Sequence, residues 1–124
     1  MPHTTVLLYR EENETVPLYD WLDTLQPKAR QKCLVRISRL RELGYELRRP
    51  EGDYLRDGIF ELRVGFGGRN LRVLYFFHGA SVAVISHGIV KEAIVPAREI
   101  DLALHRKKKF AAAPWLHTHE GIEG

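Results

Sequence analysis

The chain has 124 residues, a net charge of +3 and 44% hydrophobic residues, a composition that excludes a disordered protein and suits one globular domain. It contains no run of about 18 apolar residues, which excludes an ordinary membrane-spanning helix. Because the N-terminal segment turns acidic and Cys33 is the single cysteine, we expect no secretory signal, no internal disulfide and a cytoplasmic location.

The first half of the chain reads as one strand followed by two helices. Residues 4–9 are β-branched and aliphatic, which predicts a strand. Apolar residues at helical spacing then predict a short helix, on the stripe Leu18, Trp21, Leu22 and Leu25. A second helix is predicted from Pro27 to Gly44, on the stripe Ala29, Cys33, Ile37 and Leu40. The short turn between them predicts a helical hairpin, and residues 46–58 read as a loop.

The second half is predicted to form three consecutive strands and a last helix. The strands and turns are residues 59–66, a turn at Gly67-Gly68, residues 69–77, a turn at Gly79-Ala80, and residues 81–87 with Gly88 as the end. Pro96 begins a helix that ends in a basic cluster at residues 106–109, where positive charge suits the helix dipole.

This order of elements, βααβββα, predicts an α+β fold. We expect a mainly antiparallel sheet with the helical hairpin on one face and a C-terminal helix. Residues 1–110 are predicted to form a single domain, and residues 111–124 a flexible tail.

Two-residue turns in both hairpins would fix which side chains lie opposite one another. Arg63 would then face Arg72, and Arg72 would face His87, in one row across three strands. The opposite face would carry the core for the helical hairpin: Phe60, Leu62, Val64, Leu71, Val73, Tyr75, Val82 and Val84. The row's own face also carries Ile59, Leu74, Phe76, Ala83 and Ile85, which the last helix or a partner must cover.

A row of like charges destabilises a sheet, so it indicates a functional site. A bound phosphate would relieve the conflict, because arginine matches phosphate oxygens with two parallel hydrogen bonds. The alternative is an ordinary ion pair of the arginines with Glu61. If the ligand is RNA, its 2′-OH supplies the nucleophile, His87 the general acid or base, and Arg63 and Arg72 the stabilisation of the phosphorane. Lys91 follows His87 by four residues and would reach the same phosphate.

Charge is unevenly distributed, which also points to a polyanion. Residues 1–62 contain 10 Lys and Arg against 11 Asp and Glu, whereas residues 63–110 contain 9 against 3. A solvated basic surface is the plainer alternative. The further residues predicted to contact RNA are Arg69, Arg98, Arg106, Lys107 and Lys108. The run from His117 to Glu120 has metal-binding side chains, but it lies in the predicted tail, so we expect no metal or other cofactor.

Four segments together resemble the phage-derived branch of the RelE/HigB toxin superfamily: GIFELRV (58–64), LRVLYFF (71–77), ISHGIVKEAIVP (85–96) and EIDLALHRKKKF (99–110). The resemblance implies a RelE-like fold and the toxin of a type II toxin–antitoxin pair. It further implies a metal-independent endoribonuclease that cuts mRNA, typically on the ribosome, and leaves a 2′,3′-cyclic phosphate. The implied partner is a helix-turn-helix antitoxin of the HigA/Xre-like kind. Arg63, Arg72, His87 and Lys91 match the family's patterns.

The sequence departs from the family at two positions. Glu92 stands where the branch often has a second lysine, and Phe110 lacks the hydroxyl of the catalytic tyrosine known in some relatives. Two alternatives therefore stay open. One is a ParE-like protein that inhibits DNA gyrase without catalysing a reaction, and the other is a non-catalytic RNA-binding module.

Overall fold

The computed structural model describes residues 4–91 and 93–120. The elements in chain order are β1 (Thr5–Tyr9), α1 (Pro17–Leu22), α2 (Pro27–Leu43), a 3₁₀ turn (Gly44–Glu46), β2 (Gly52–Arg56), β3 (Ile59–Phe66), β4 (Arg69–His78), β5 (Val82–Lys91), α3 (Ala97–Ala112) and β6 (Thr118–His119). Within this part of the chain, no helix has the length and apolarity needed to cross a membrane.

The predicted α+β fold is confirmed. The sheet has six strands in the order β2-β3-β4-β5-β1-β6, and every pair is antiparallel except β1 with β5. The strand β2 falls in the segment predicted as a loop. Its sequence, GDYLR, shows no clear apolar alternation, so the strand could not be predicted. As an edge strand with a polar, half-buried surface, β2 does not require that alternation.

The hairpin of β3 and β4 has the predicted register. Phe66 pairs with Arg69, and Arg63 lies directly opposite Arg72. The turn consists of Gly67 and Gly68, which both have positive φ angles of 58° and 78°. A two-residue turn of this kind requires positive φ at both positions, which glycine adopts without strain.

The predicted register of β4 with β5 is wrong, for two reasons. The turn has three residues instead of two, so His78 pairs with Val82. A β-bulge opposite Leu74 and Tyr75 then shifts the pairing once more. As a result Arg72 lies opposite Ile89, and His87 lies opposite Leu74.

The strand β5 also continues past Gly88, which was predicted to end it, as far as Lys91. Gly88 lies under the indole of Trp21 in α1, and a Cβ atom at this position would collide with that ring. The glycine therefore allows α1 to pack closely on the sheet.

Two hydrophobic cores lie on the two faces of the sheet. One lies between the sheet and the hairpin of α1 and α2, as predicted for β3 and β4. The other lies under α3, which covers Ile59, Leu74 and Phe76. In β5 the predicted faces are reversed by the longer turn: Ala83 and Ile85 pack under the hairpin, and Val84 packs under α3.

The predicted flexible tail differs from the structure over residues 111–120. Helix α3 continues to Ala112, and β6 pairs with β1 at the edge of the sheet. The ring of His117 stacks on Tyr9 with 5.0 Å between centroids, and its Nδ1 lies 2.8 Å from the carbonyl oxygen of Arg10. These contacts hold the segment on the sheet. The remaining predicted tail, residues 121–124, lies outside the described residues.

Candidate functional site

A group of four basic residues lies at the end of the sheet that α3 leaves open, and we call it the cationic cluster: Arg49, Arg63, Arg72 and Lys91. Arg63 and Arg72 are directly opposite on β3 and β4. Lys91 pairs with Asn70, which makes it a diagonal neighbour of Arg72 at about 7–8 Å on the same face. Three of the four predicted catalytic residues are therefore brought together.

The carboxylate of Glu61 lies between the two arginines of the sheet. Its Oε1 is 3.2 Å from Nε of Arg72, and its Oε2 is 3.9 Å from Nη1 of Arg63. Glu61 and Arg72 are both only 4% exposed. The ion pair with Glu61 is thus present, but it is buried rather than superficial, and it balances one of the two guanidinium charges.

Arg72 keeps unused hydrogen-bonding capacity despite its burial. Its Nη1 donates to the carbonyl oxygen of Leu71 at 2.9 Å. The contact of its Nε with Glu61 lacks hydrogen-bond directionality, so this buried donor has no hydrogen-bond acceptor. Because a carboxylate oxygen of Glu61 lies 3.2 Å away, this donor is balanced in charge but has no hydrogen bond of good geometry.

Burial and the neighbouring guanidiniums lower the pKa of Lys91. Partial burial contributes most, followed by the charge of Arg72, and Arg63 and Arg49 act in the same direction while Glu61 opposes them. Burial likewise lowers the pKa of Arg72. A lysine whose ammonium is disfavoured by three guanidiniums is suited to exchange a proton closer to neutral pH than a free lysine.

His87 is a diagonal neighbour of Arg72, as Lys91 is, but its imidazole lies beneath the first turn of α3 and contacts Ser86 and Glu99 instead of the cationic cluster. It is 7% exposed, and burial lowers the pKa of its imidazole despite the nearby Glu99. Its Nε2 lies 2.9 Å from Oε1 of Glu99, and its Nδ1 lies 2.7 Å from Oγ of Ser86. The three-residue turn and the β-bulge together place His87 diagonal to Arg72 instead of opposite to it.

Arg106, predicted to contact RNA, lies inside the protein. It is 9% exposed and faces the sheet because it shares a face of α3 with Ile100, Ala103 and Phe110. Its guanidinium donates to Oγ of Ser86 and to Oε2 of Glu11, and lies 5.4 Å from the centroid of the Tyr9 ring. Arg106 therefore anchors α3 to the sheet, and the prediction that it contacts RNA is corrected.

The other predicted RNA-binding residues lie at separate places on the surface. Arg98, in the first turn of α3, has a side chain that is 80% exposed. Lys107 and Lys108 follow about 15 Å further along the helix, and the ammonium of Lys107 lies against Gly58. Arg69 is exposed at the tip of the hairpin of β3 and β4. Of this group, Arg69 lies nearest to the cationic cluster along the strand.

Sequence reasoning missed two contributors to the site and placed a third at the surface. Glu61 was considered only as a surface partner, because burial cannot be read from its alternation alone. Arg49 and Asp53 were missed because the strand β2 was missed: Asp53 pairs with Glu61 in the sheet, and Arg49 contacts Asp53 at 2.8 Å. The charged residues around residues 49–53 were the available signal.

Comparison with known proteins gives one family. The family model described as "Phage derived protein Gp49-like (DUF891)" matches residues 20–108, which is well over half of the chain. No curated protein sequence matches the chain significantly. The matched segment contains the end of α1, all of α2, the strands β2 to β5 and most of α3, and so it contains the whole cationic cluster.

Proposed function

This chain belongs to the Gp49-like family of phage-derived proteins, a RelE/HigB-like toxin family, and from that premise we propose that it is an endoribonuclease that cleaves mRNA. The single observation that carries the proposal is the cationic cluster. Four basic groups lie close together, and among the described residues only two carboxylates, Glu61 and Asp53, are paired with them. A phosphodiester supplies the missing negative charge.

The proposed reaction needs no nucleophile from the protein. The 2′-oxygen of RNA attacks the adjacent phosphorus, and the bond from phosphorus to the 5′-oxygen breaks. The products are a 2′,3′-cyclic phosphate and a 5′-hydroxyl. Arg63 and Arg72 bind the non-bridging oxygens and stabilise the charge that develops on the phosphorane.

Two proton transfers accompany this step: one from the 2′-hydroxyl and one to the leaving 5′-oxygen. We assign the first to Lys91, whose lowered pKa and half-buried position at the cationic cluster suit it to accept a proton. The proton for the leaving 5′-oxygen comes from water or from His87, whose predicted role as general acid or base remains a prediction. It requires the imidazole to exchange its contact with Glu99 for one with the RNA.

The partner classes follow from the toxin family. A toxin of this family implies an antitoxin. We propose that the antitoxin is a helix-turn-helix protein of the HigA/Xre-like kind, and that the mRNA is cut on the ribosome in the cytoplasm. Neither proposal changes the chemistry assigned to the cationic cluster.

The test is induced expression of the wild-type chain beside Arg63→Ala, Lys91→Ala and His87→Ala, with mRNA 5′ ends mapped by primer extension. We expect wild type to arrest growth and to produce new ends at codon-phased positions, and Arg63→Ala and Lys91→Ala to do neither. Lys28→Ala removes an exposed lysine of α2 and is the matched control, with wild-type behaviour expected. Growth arrest with intact mRNA would contradict the proposal and favour a gyrase-type inhibitor.

A further inference from the structure

A small pocket lies at the tip of the sheet, beside the cationic cluster but on the other face. It has a volume of about 190 Å³ and lies between the start of α2 and the hairpin of β3 and β4. Its floor is apolar and buried, formed by Leu25, Ala29 and Leu71. Its rim carries the ring of Phe66 and two polar side chains, Gln26 and Arg69.

The polar side chains of the rim are not engaged elsewhere in the fold. Gln26 is the N-cap residue of α2, yet its side chain makes no capping hydrogen bond. Arg69 is exposed and forms no ion pair among the residues that the structure describes. An apolar floor, an aromatic ring and a few free donors and acceptors are the ordinary features of a site for a flat heterocycle.

The pocket is connected to the cationic cluster around the end of the sheet. A second, more open hollow of about 300 Å³ is lined by Gly68, Arg69, Asn70, Val90 and Lys91. Arg69 lines both cavities, and Lys91 belongs to both the hollow and the cationic cluster. Arg69 precedes Arg72 by three residues of strand, or about 10 Å, which is a span of one or two nucleotides.

We propose that this pocket binds a purine base of single-stranded RNA, one or two nucleotides from the phosphate held by the cationic cluster. This inference rests on the proposed function, and it states which bases the RNA-cleaving protein prefers. A purine is favoured because the carboxamide of a glutamine matches adenine, and a guanidinium matches guanine, each by a pair of hydrogen bonds. The apolar floor receives the face of the base, and Phe66 supplies an aromatic contact.

The experiment measures dissociation constants by fluorescence anisotropy for labelled 2′-O-methyl RNA hexamers, which cannot be cleaved because the nucleophile is blocked. The hexamers are all-uridine, or uridine with one adenosine or one guanosine. We expect wild type to bind the purine-containing hexamers about tenfold more tightly, the discrimination of one good base contact. Gln26→Ala should lose the preference for adenosine. Arg69→Lys keeps the positive charge but should lose the preference for guanosine.

Two controls separate this inference from the proposed function. Gln31→Ala removes an exposed glutamine of α2 outside the pocket and should leave every preference unchanged. Arg63→Ala should raise the dissociation constants of all hexamers by a similar factor, so that their ratios stay unchanged. The proposed purine site would be overturned by equal binding of all hexamers to wild type or by no binding at all. It would also be overturned by base preferences that survive in both pocket variants. The proposed function is decided separately, by whether induction leaves mRNA cut or intact.

Discussion

At the scale of single residues, the proposed chemistry depends on how charge is balanced around Arg72. The residue is buried, lies opposite another arginine and has one nearby carboxylate, Glu61. Burial disfavours its charged form, and so does Arg63, whereas Glu61 favours it. The sheet therefore holds a guanidinium whose charge is only partly compensated within the protein, which is the condition for binding an anion.

Lys91 provides a test of proton transfer that leaves the charge in place. We expect Lys91→Arg to keep RNA binding but to lose cleavage by about a hundredfold or more, because arginine does not release a proton and general base catalysis is of that order. In wild type the cleavage rate should rise with pH up to the pKa of Lys91, which burial and the neighbouring arginines hold below the ordinary value of 10.5.

The pH dependence of the cleavage rate also tests the effect of Arg63 on the pKa of Lys91. Since Arg63 helps to lower the pKa of Lys91, its removal should move the rising limb of residual activity to higher pH. A pH profile that is unchanged in Lys91→Arg would show that Lys91 does not transfer the proton.

We expect Glu61 to link folding stability to anion binding. Glu61→Gln leaves Arg72 buried without its counter-ion, and breaking a buried pair in this way costs about 3–5 kcal/mol of unfolding free energy. We expect inorganic phosphate to restore more stability to Glu61→Gln than to wild type in denaturant titrations. Glu42→Gln, at an exposed ion pair with Arg39, is the control and should change stability by less than about 1 kcal/mol. Equal effects of phosphate on all three chains would argue against an anion site at Arg72.

At the scale of elements, the strand β5 decides which side chains meet. The alternation of β3 and the Gly67-Gly68 turn fixed the β3–β4 register, so the facing of Arg63 and Arg72 could be predicted. The three-residue turn before β5 and the bulge within it leave no comparable pattern in the sequence. Two successive shifts of one residue moved His87 from opposite Arg72 to a position under α3.

Gly88 tests the close packing of α1 on β5. Gly88→Ala places a Cβ atom inside the indole of Trp21, so we expect a loss of about 1–3 kcal/mol of unfolding free energy, as for other overpacked cores. Gly65→Ala is the matched control in β3, because a Cβ atom there meets nothing within 4 Å. Thermal and denaturant unfolding measure both variants. Equal stability of the two would contradict the contact.

At the scale of the whole molecule, α3 divides one face of the sheet into a covered core and an open site. Arg106 and His87 anchor the helix through Ser86, Glu11 and Glu99, which is why two residues predicted to meet RNA are buried instead. Charge patterning alone could not reveal this for Arg106; the available signal was the helical phase, since Arg106 lies three residues after Ala103 and four before Phe110 on the apolar face. The fold class was predictable because the periodicity of its longest elements is clear.

The chemistry of the RNA ends tests the central claim most directly. Purified protein is added to translating ribosomes, and the 3′ ends of the cleaved mRNA are identified by mass spectrometry. The account predicts a 2′,3′-cyclic phosphate with wild type and intact mRNA with Arg63→Ala. A 3′-hydroxyl end, or equal cleavage by the two proteins, would contradict attack by the 2′-oxygen at the cationic cluster.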